Sequence, residues 1–367
     1  MEPGAPKRLP RAVIVTRHSL LTQLIERHGT FGQAEFFLKS RGEQIETYVE
    51  AHDRVVEACK VVGAALAPEQ RRASVDRDEL DRFLFAPDDA VIVVGQDGLV
   101  ANVAKYLKGQ PVVGVNPDPE RYDGVLCRHK PADFHAICQW LVHSGDAFGV
   151  ESRTLAVALR EDGQRLLALN EVFVGHRSHQ SARYRVSVKG QEERHSSSGM
   201  ICSTGTGCTG WARSIAEQRN IAAALPTPSA SSLAWFVREP FPSVNTRTRL
   251  NFGLLARPES IEVVSEMSEG GVIFADGIES DRIDFLSGQQ LTLSVADETL
   301  NLVVPPREAT KAEAKASQRL DELNANQWAE SALAAIQAPT PISTPKPPPR
   351  RLNTGRGCTR PARHRPS

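Results

Sequence analysis

Two stretches gather the residue types that handle phosphate and protons. In "VIVVGQDGLVAN", residues 91–102, a β-branched run ends at Gly95, Gln96, Asp97 and Gly98, and an apolar segment starts at Leu99. An acid between two glycines at the end of a buried strand has two readings. Asp97 caps the following helix, or it handles a proton beside backbone N–H groups that meet phosphate. In "SSSGMICSTGTGCTGWARSI", residues 196–215, the apolar "MIC" runs into Ser203, Thr204, Gly205, Thr206, Gly207, Cys208, Thr209 and Gly210, and a helix opens at Trp211. Small residues at that density let several N–H groups point one way beside a helix N-terminus, which makes a cradle for an anion or a ribose. The other reading is a plain Gly/Ser/Thr connection. In "ALNEVFVG", Asn170 and Glu171 lead a β-branched strand, a pair that means nothing taken alone.

The surrounding pattern must place these residues. "AVIVTR" reads as a first parallel strand, and a long helical region follows from about residue 19 to 66, with apolar residues three and four apart. "RASVDRDEL" reads as a strand and a helix start, and "DDAVIVVG" as a strand buried on both faces. "ANVAKYLKG" is a short helix closed by Gly109, and "QPVVGVNPDPERYDG", which contains Asn116, is a buried strand ending in a turn. Strands alternating with helices imply a parallel sheet with its ligand site at the strands' carboxyl ends. From about residue 154 the period changes to two, which predicts antiparallel strands to about residue 304. The expected organisation is an N-terminal extension over 1–10, an α/β domain carrying the Gly-x-Asp-Gly loop over 11–150, and a β-rich domain over 151–305. A polar helix over 306–337 follows. The last segment, 338–367, is rich in proline with seven Lys/Arg and no acid, and is expected to be disordered.

Composition narrows the function classes. The chain has 367 residues and zero formal net charge, enough length for two domains and no positive field for general nucleic-acid or membrane-surface binding. It has no apolar run long enough to span a bilayer and no apolar signal core near its start, and its six cysteines lack CxxC pairing. The expectation is a cytoplasmic protein with reduced thiols, no membrane and no nucleic acid. His176 and His179 fall near His195 on strand and loop segments, so no metal site is expected there. Arg17 and His18 follow the first strand, where they meet phosphate or form a solvated basic turn. Arg238 and Glu239 read as an adjacent pair at a strand end stopped by Pro240.

Taken together, the order of "GQDG", "GVNPDPERYDGVLC", "ALNEVFVG" and "SSSGMICSTGTGCTGW" resembles the NAD kinase family, most of all its mitochondrial-type branch. "WFVREPFPS" and "FADG", residues 235–243 and 274–277, are similar to later signatures of that branch, and the resemblance covers roughly residues 11–305. It implies a two-domain fold shared with diacylglycerol kinases, an α/β N-terminal domain with a parallel sheet plus a β-rich C-terminal domain. It implies transfer of the γ-phosphoryl group of ATP to the adenosine-ribose 2′-hydroxyl of NAD, giving NADP. The cofactor implied is Mg²⁺ or another divalent cation with ATP, with no tightly bound prosthetic group, and the assembly a homodimer or homotetramer. Asp97 matches the family's proton acceptor, Asn170 and Glu171 its NAD-contacting pair, and Thr204, Gly205, Thr206, Gly207, Thr209 and Trp211 its substrate loop. Asn116 and Asp276 match positions whose roles the resemblance leaves less defined.

The family's Gly-Gly-Asp-Gly-Thr is here Gly95-Gln96-Asp97-Gly98-Leu99, so a glycine and a hydroxyl of the donor loop are replaced. A glutamine would disturb the loop if the backbone there needs a positive φ. Three readings stay open: an NAD kinase that holds its donor differently, a same-fold kinase acting on a sugar or lipid hydroxyl, or a catalytically silent dinucleotide-binding protein.

Overall fold

The first half alternates strands and helices, as its apolar spacing requires. Strand β1 (Ala12–Thr16) leads through α1 (Leu20–His28), α2 (Phe31–Lys39) and α3 (Ile45–Ala65) to β2 (Arg72–Asp76). Next come β3 (Ala90–Val94), α4 (Asp97–Ala104), β4 (Pro111–Val115) and α5 (Phe134–His143). The computed structural model describes residues 11–143, 148–221 and 225–305; the expected N-terminal extension, the polar helix over 306–337 and the basic tail lie outside the described residues. All four strands pair in parallel in the order β2-β1-β3-β4. Every residue of β3 is buried, as a strand covered on both faces demands. The helical region expected over 19–66 is divided into three. Gly29, at φ 85°, ends α1 by donating its N–H to Ile25 O, and Thr30 caps α2 by accepting the Gln33 N–H.

The period-two half is antiparallel. Its strands are β5 (Gly149–Arg160), β6 (Arg165–Ala168), β7 (Glu171–His176), β8 (Ala182–Val188), β9 (Gln191–Ser197) and β10 (Met200–Ser203). Helix α6 (Trp211–Gln218) precedes β11 (Ser232–Val237), β12 (Phe252–Ala256), β13 (Ser260–Ser265), β14 (Gly271–Ala275), β15 (Ile283–Asp284) and β16 (Gln290–Val304). Strand β16 pairs antiparallel with β5 and β13, and through Asn301 and Leu302 it runs parallel to β4. The parallel strands therefore continue into one ten-stranded sheet, and β12-β11-β10-β7-β14-β15 form a second sheet.

Two cores hold the loops in place. Val172, Val174, Met200 and Trp235 of the second sheet pack with Tyr184, Val186, Val263 and Leu293 of the first. The other core lies under α4, whose residues from Leu99 to Ala104 are all buried. Leu99, Val100 and Val103 pack there with Val91 and Val93, and also with Leu155, Leu169 and Leu300 from the later strands. Each such side chain contributes roughly 1.5–3 kcal/mol on full burial, so the start of α4 is anchored from both halves of the chain.

Gly114 of β4 lies against the backbone of residues 126–127. A Cβ there would sit 2.3 Å from Leu126 O and 2.8 Å from Cys127 Cα, and backbone cannot rotate away. Gly114→Ala is expected to cost about 1–3 kcal/mol, read as a lower denaturant midpoint with an unchanged slope. A variant as stable as the parent would mean that this segment is free to move off β4.

Candidate active site

The chain leaves β1 for β2 on one side and then crosses β1 to reach β3, so the connections after β1 and β3 diverge. In an open parallel sheet that switch point is where ligands bind. A cleft of 370 Å³ opens there, lined by Arg17, His18 and Ser19 after β1 and by Gly95, Gln96 and Gly98 after β3. Tyr48, Ala51 and Val55 of α3 form an apolar wall, and Asp118 and Arg121 line the cleft on the side of the turn after β4. Arg17 is exposed and makes no ion pair among the described residues. Arg121 lies near Asp118, the one carboxylate in the lining, which is held by Arg54 at 2.6 Å. Gln96 supplies no side-chain cap to α4; its carbonyl accepts the Leu99 N–H at 2.9 Å, and the Asp97 and Gly98 amides lack an intrahelical acceptor. The lining is thus cationic and lies at a helix N-terminus, which suits an anion.

Asp97 takes a different direction. Its Oδ2 accepts the Val125 N–H at 2.8 Å, and its Oδ1 accepts those of Leu126 at 2.8 Å and Cys127 at 2.9 Å. The first helical residue therefore clamps the segment after β4, and Oδ2 keeps an acceptor position. Gln96 has φ −96° and ψ 165°, ordinary extended backbone, so the glutamine sits without strain. Leu99 is 4% exposed and belongs to the α4 core, although its edge reaches the cleft. Asn116 is buried in the turn below: Oδ1 accepts the Asp118 N–H and Nδ2 donates to Tyr122 O.

The Ser/Thr/Gly loop corrects one expectation. Its amides do not face outward as an anion cradle. Thr206 and Gly207 donate to Thr204 Oγ1, Thr204 to Asn170 O, Cys208 to Thr204 O, Thr209 to Thr206 O, and Gly210 to Gly207 O. Small residues let the loop fold in on itself, and Thr204 is its hub. A Cβ on Gly207 would lie 2.2 Å from Asn170 O, so only glycine permits this contact. Thr204, Gly205, Thr206 and Gly207 are buried, while Thr209 and Trp211 are exposed. Trp211 stacks on Phe173 with ring centroids 6.0 Å apart, and the Arg238 guanidinium lies 4.7 Å from its ring centroid.

Asn170 and Glu171 are held from the opposite direction. The half-buried Asp276, at φ 53°, accepts the N–H groups of Leu169 at 3.0 Å, Asn170 at 2.7 Å and Glu171 at 3.3 Å. Burial pushes the Asp276 carboxyl up to about 6 against those three hydrogen bonds and the pull of Lys105. Burial and the neighbouring Asp276 push Glu171 up to about 7. Among the described residues no group of His, Cys, Asp or Glu could hold a metal ion, and His176 Nδ1 instead accepts the Ser178 N–H.

One residue had no place in the sequence reading. Arg153 of β5 is 1% exposed, donates to Thr206 Oγ1 at 3.3 Å and pairs with Glu151 at 3.1 Å. Its signal was parity: it shares a strand face with Leu155, where an apolar residue belongs. Arg153 also feels the Asp97 charge, so acid and loop flank one buried cation.

Both raised carboxyls hold protons in the folded chain that the unfolded chain has released between about pH 4 and 7. Stability therefore falls as pH rises through that interval. Glu171→Gln is expected to flatten the fall of the melting temperature between about pH 5 and 7.5. A slope identical to the parent's would show that Glu171 ionises as freely as in water.

No family model matches the chain. It is 31% identical over 186 residues to "NAD kinase 2, mitochondrial" of Rattus norvegicus, covering 38% of this chain and 44% of that protein. The Homo sapiens protein of the same name is also 31% identical over 186 residues, with 38% and 42% covered. The chain thus matches less than half the length of these curated relatives. Among solved structures, an Archaeoglobus fulgidus NAD kinase in complex with ATP superposes with a TM-score of 0.50 at 22% identity, covering 81% of this chain and 94% of that one. Yeast NADH kinase complexed with NADH gives 0.50 at 14%, covering 81% and 84%. The two-sheet architecture is the fold of those kinases, and the sequence matches are to NAD kinases of the mitochondrial type.

Proposed function

We propose that this chain transfers the γ-phosphoryl group of ATP to the adenosine-ribose 2′-hydroxyl of NAD, giving NADP. The observation that carries the reading is the position of Asp97. It opens the helix whose loop lines the cationic switch-point cleft, and it lies within electrostatic reach of the Arg153 that holds the Thr206 loop. In this reading Arg17, Arg121 and the Asp97 and Gly98 amides of α4 hold the triphosphate, and Tyr48 and Val55 shape the apolar end of the cleft. Asn170, Glu171, Thr209 and Trp211 face the dinucleotide. Thr204, Gly205 and Gly207 shape the loop from within.

Asp97 Oδ2 accepts the ribose proton as the hydroxyl attacks, a contribution of typically about 10²–10⁴-fold. The three amides fix where that oxygen points. Most of the remaining acceleration comes from placing donor and acceptor in line and from countering phosphate charge. A divalent cation supplies that countercharge when it arrives on the nucleotide. Asp118, already held by Arg54, leaves the chain's own share to arginines and backbone. The unstrained Gln96 and buried Leu99 weigh against a ruined donor loop, and so against a silent binder. A cytoplasmic homodimer or homotetramer belongs to the same proposal, although the curated relatives carry "mitochondrial" in their names.

Purified chain with ATP, Mg²⁺ and NAD is expected to form NADP. Asp97→Asn should lower kcat by about 10²–10⁴, with NAD affinity kept within a few-fold of the parent's. NAD binding without turnover by ATP or polyphosphate would favour the silent-binder reading, and turnover of a sugar or diacylglycerol in place of NAD would favour the second. Arg17→Ala should raise the KM for ATP about tenfold, the loss expected for one charge-assisted contact, with the KM for NAD unchanged. Equal rises in both would remove Arg17 from the donor side.

A further inference from the structure

Arg153 is the largest side chain buried to this degree in the described chain, and its charge is only partly answered. Of five guanidinium donors, one meets Thr206 Oγ1 at 3.3 Å and one pairs with Glu151 Oε1 at 3.1 Å, while Nε has no partner. Burial lowers its pKa, and the charges of Glu151 and Asp97 work in the opposite direction. A strand that needed only packing would place an aliphatic residue beside Leu155. An arginine kept there under such a penalty has a task that packing does not supply.

Its partners describe the task. Glu151 also receives Arg128 Nη1 at 3.3 Å. Arg128 Nε in turn donates to Val125 O at 2.8 Å, and Val125 is the residue whose N–H meets Asp97 Oδ2. A continuous series of contacts thus runs from Asp97 through residue 125, Arg128, Glu151 and Arg153 to Thr206. At one end is the oxygen that accepts the proton in the proposed reaction, and at the other the loop assigned to the dinucleotide.

We infer that Arg153 is a positioning residue for phosphoryl transfer, setting the Thr206 loop in register with the Asp97 carboxylate through Glu151 and Arg128. The inference rests on the proposed NAD kinase reading. A guanidinium suits the role because its rigid planar fork serves a hydroxyl and a carboxylate at fixed angles, which the point charge of a lysine does not. Asp97 itself never touches Arg153 in this arrangement. Arg153 acts on the distance and not on the proton.

The test uses the full chain with Arg153→Lys, Arg153→Gln, Thr206→Val and the Arg153→Gln/Thr206→Val double variant. Melting temperature, NAD affinity by calorimetry, and kcat and KM with ATP are measured for each. Arg153→Gln is expected to lower kcat about a hundredfold, the scale of an ångström-sized misplacement, with the KM for ATP unchanged. Thr206→Val should give a similar loss, and the double variant should be no worse than either single one, because both cut the same link. Arg153→Lys, which keeps the buried charge, should restore only part of the rate. If Arg153→Gln fails to fold, Arg153→Lys and its combination with Thr206→Val carry the same cycle. Multiplying losses, or a fully active Arg153→Lys, would overturn the inference while leaving the function reading intact. A parent chain that makes no NADP would overturn the function reading, and this inference with it.

Discussion

The structure of the site depends on one carboxylate meeting three backbone amides. Asp97 begins α4 and takes the N–H groups of residues 125–127, so it fixes the end of β3, the start of α4 and the return of the chain after β4 in one contact. Those amides would otherwise be costly orphans in a partly buried place. The opposed readings of Asp97, helix residue or proton handler, are therefore not exclusive. The hydrogen bonds that make it structural also restrict where its remaining lone pair can point, and a restricted acceptor suits a positioned hydroxyl.

Two kinds of loop surround that contact, and they handle their amides in opposite ways. The Gly95–Gln96 turn follows a buried parallel strand at the switch point, and its helix has no side-chain cap. The Gly95 and Leu99 N–H groups are taken by Val115 O and Gln96 O, so the Asp97 and Gly98 amides are the ones the helix start leaves for an anion. The 204–210 loop follows an antiparallel strand, and Thr204 gathers the amides inward. What it offers outward is its rim, Thr209 and Trp211, beside the backbone-pinned Asn170 and Glu171. Glycine serves both loops for different reasons: at Gly207 it allows backbone to pass against Asn170 O, whereas nothing crowds Gly98.

The carboxyl pair of Glu171 and Asp276 shows how acidic side chains are placed at a cost. Asp276 is half-buried, adopts a positive φ and turns its oxygens to three amides of the 169–171 segment. Its charge then burdens Glu171 next to it, and burial adds to the burden. Asn170 and Glu171 are thereby fixed through their backbone.

The amino-acid sequence marked most of the elements, although it offered no reading for α5, and α4 ends at Ala104 rather than at the expected Gly109. The β-branched run at 91–94, the glycines around Asp97 and the period-two segments after 154 each reflect local preferences: burial on both faces, φ freedom, and alternation across a pleat. The sequence also marked the two loops and the family resemblance. It did not reveal that Leu99 belongs to the core, that the 204–210 amides turn inward, or that Arg153 joins the loops. Those facts are decided by contacts between residues far apart in the chain: Leu99 with Leu169, Thr204 with Leu169 and Asn170, Arg153 with Thr206. Alternation along β5 puts Arg153 on the face of Leu155, but only the fold shows what an inward arginine meets there, Thr206 and Glu151. Tertiary packing alone decided which polar groups lost their water, and hence which of them had to find one another.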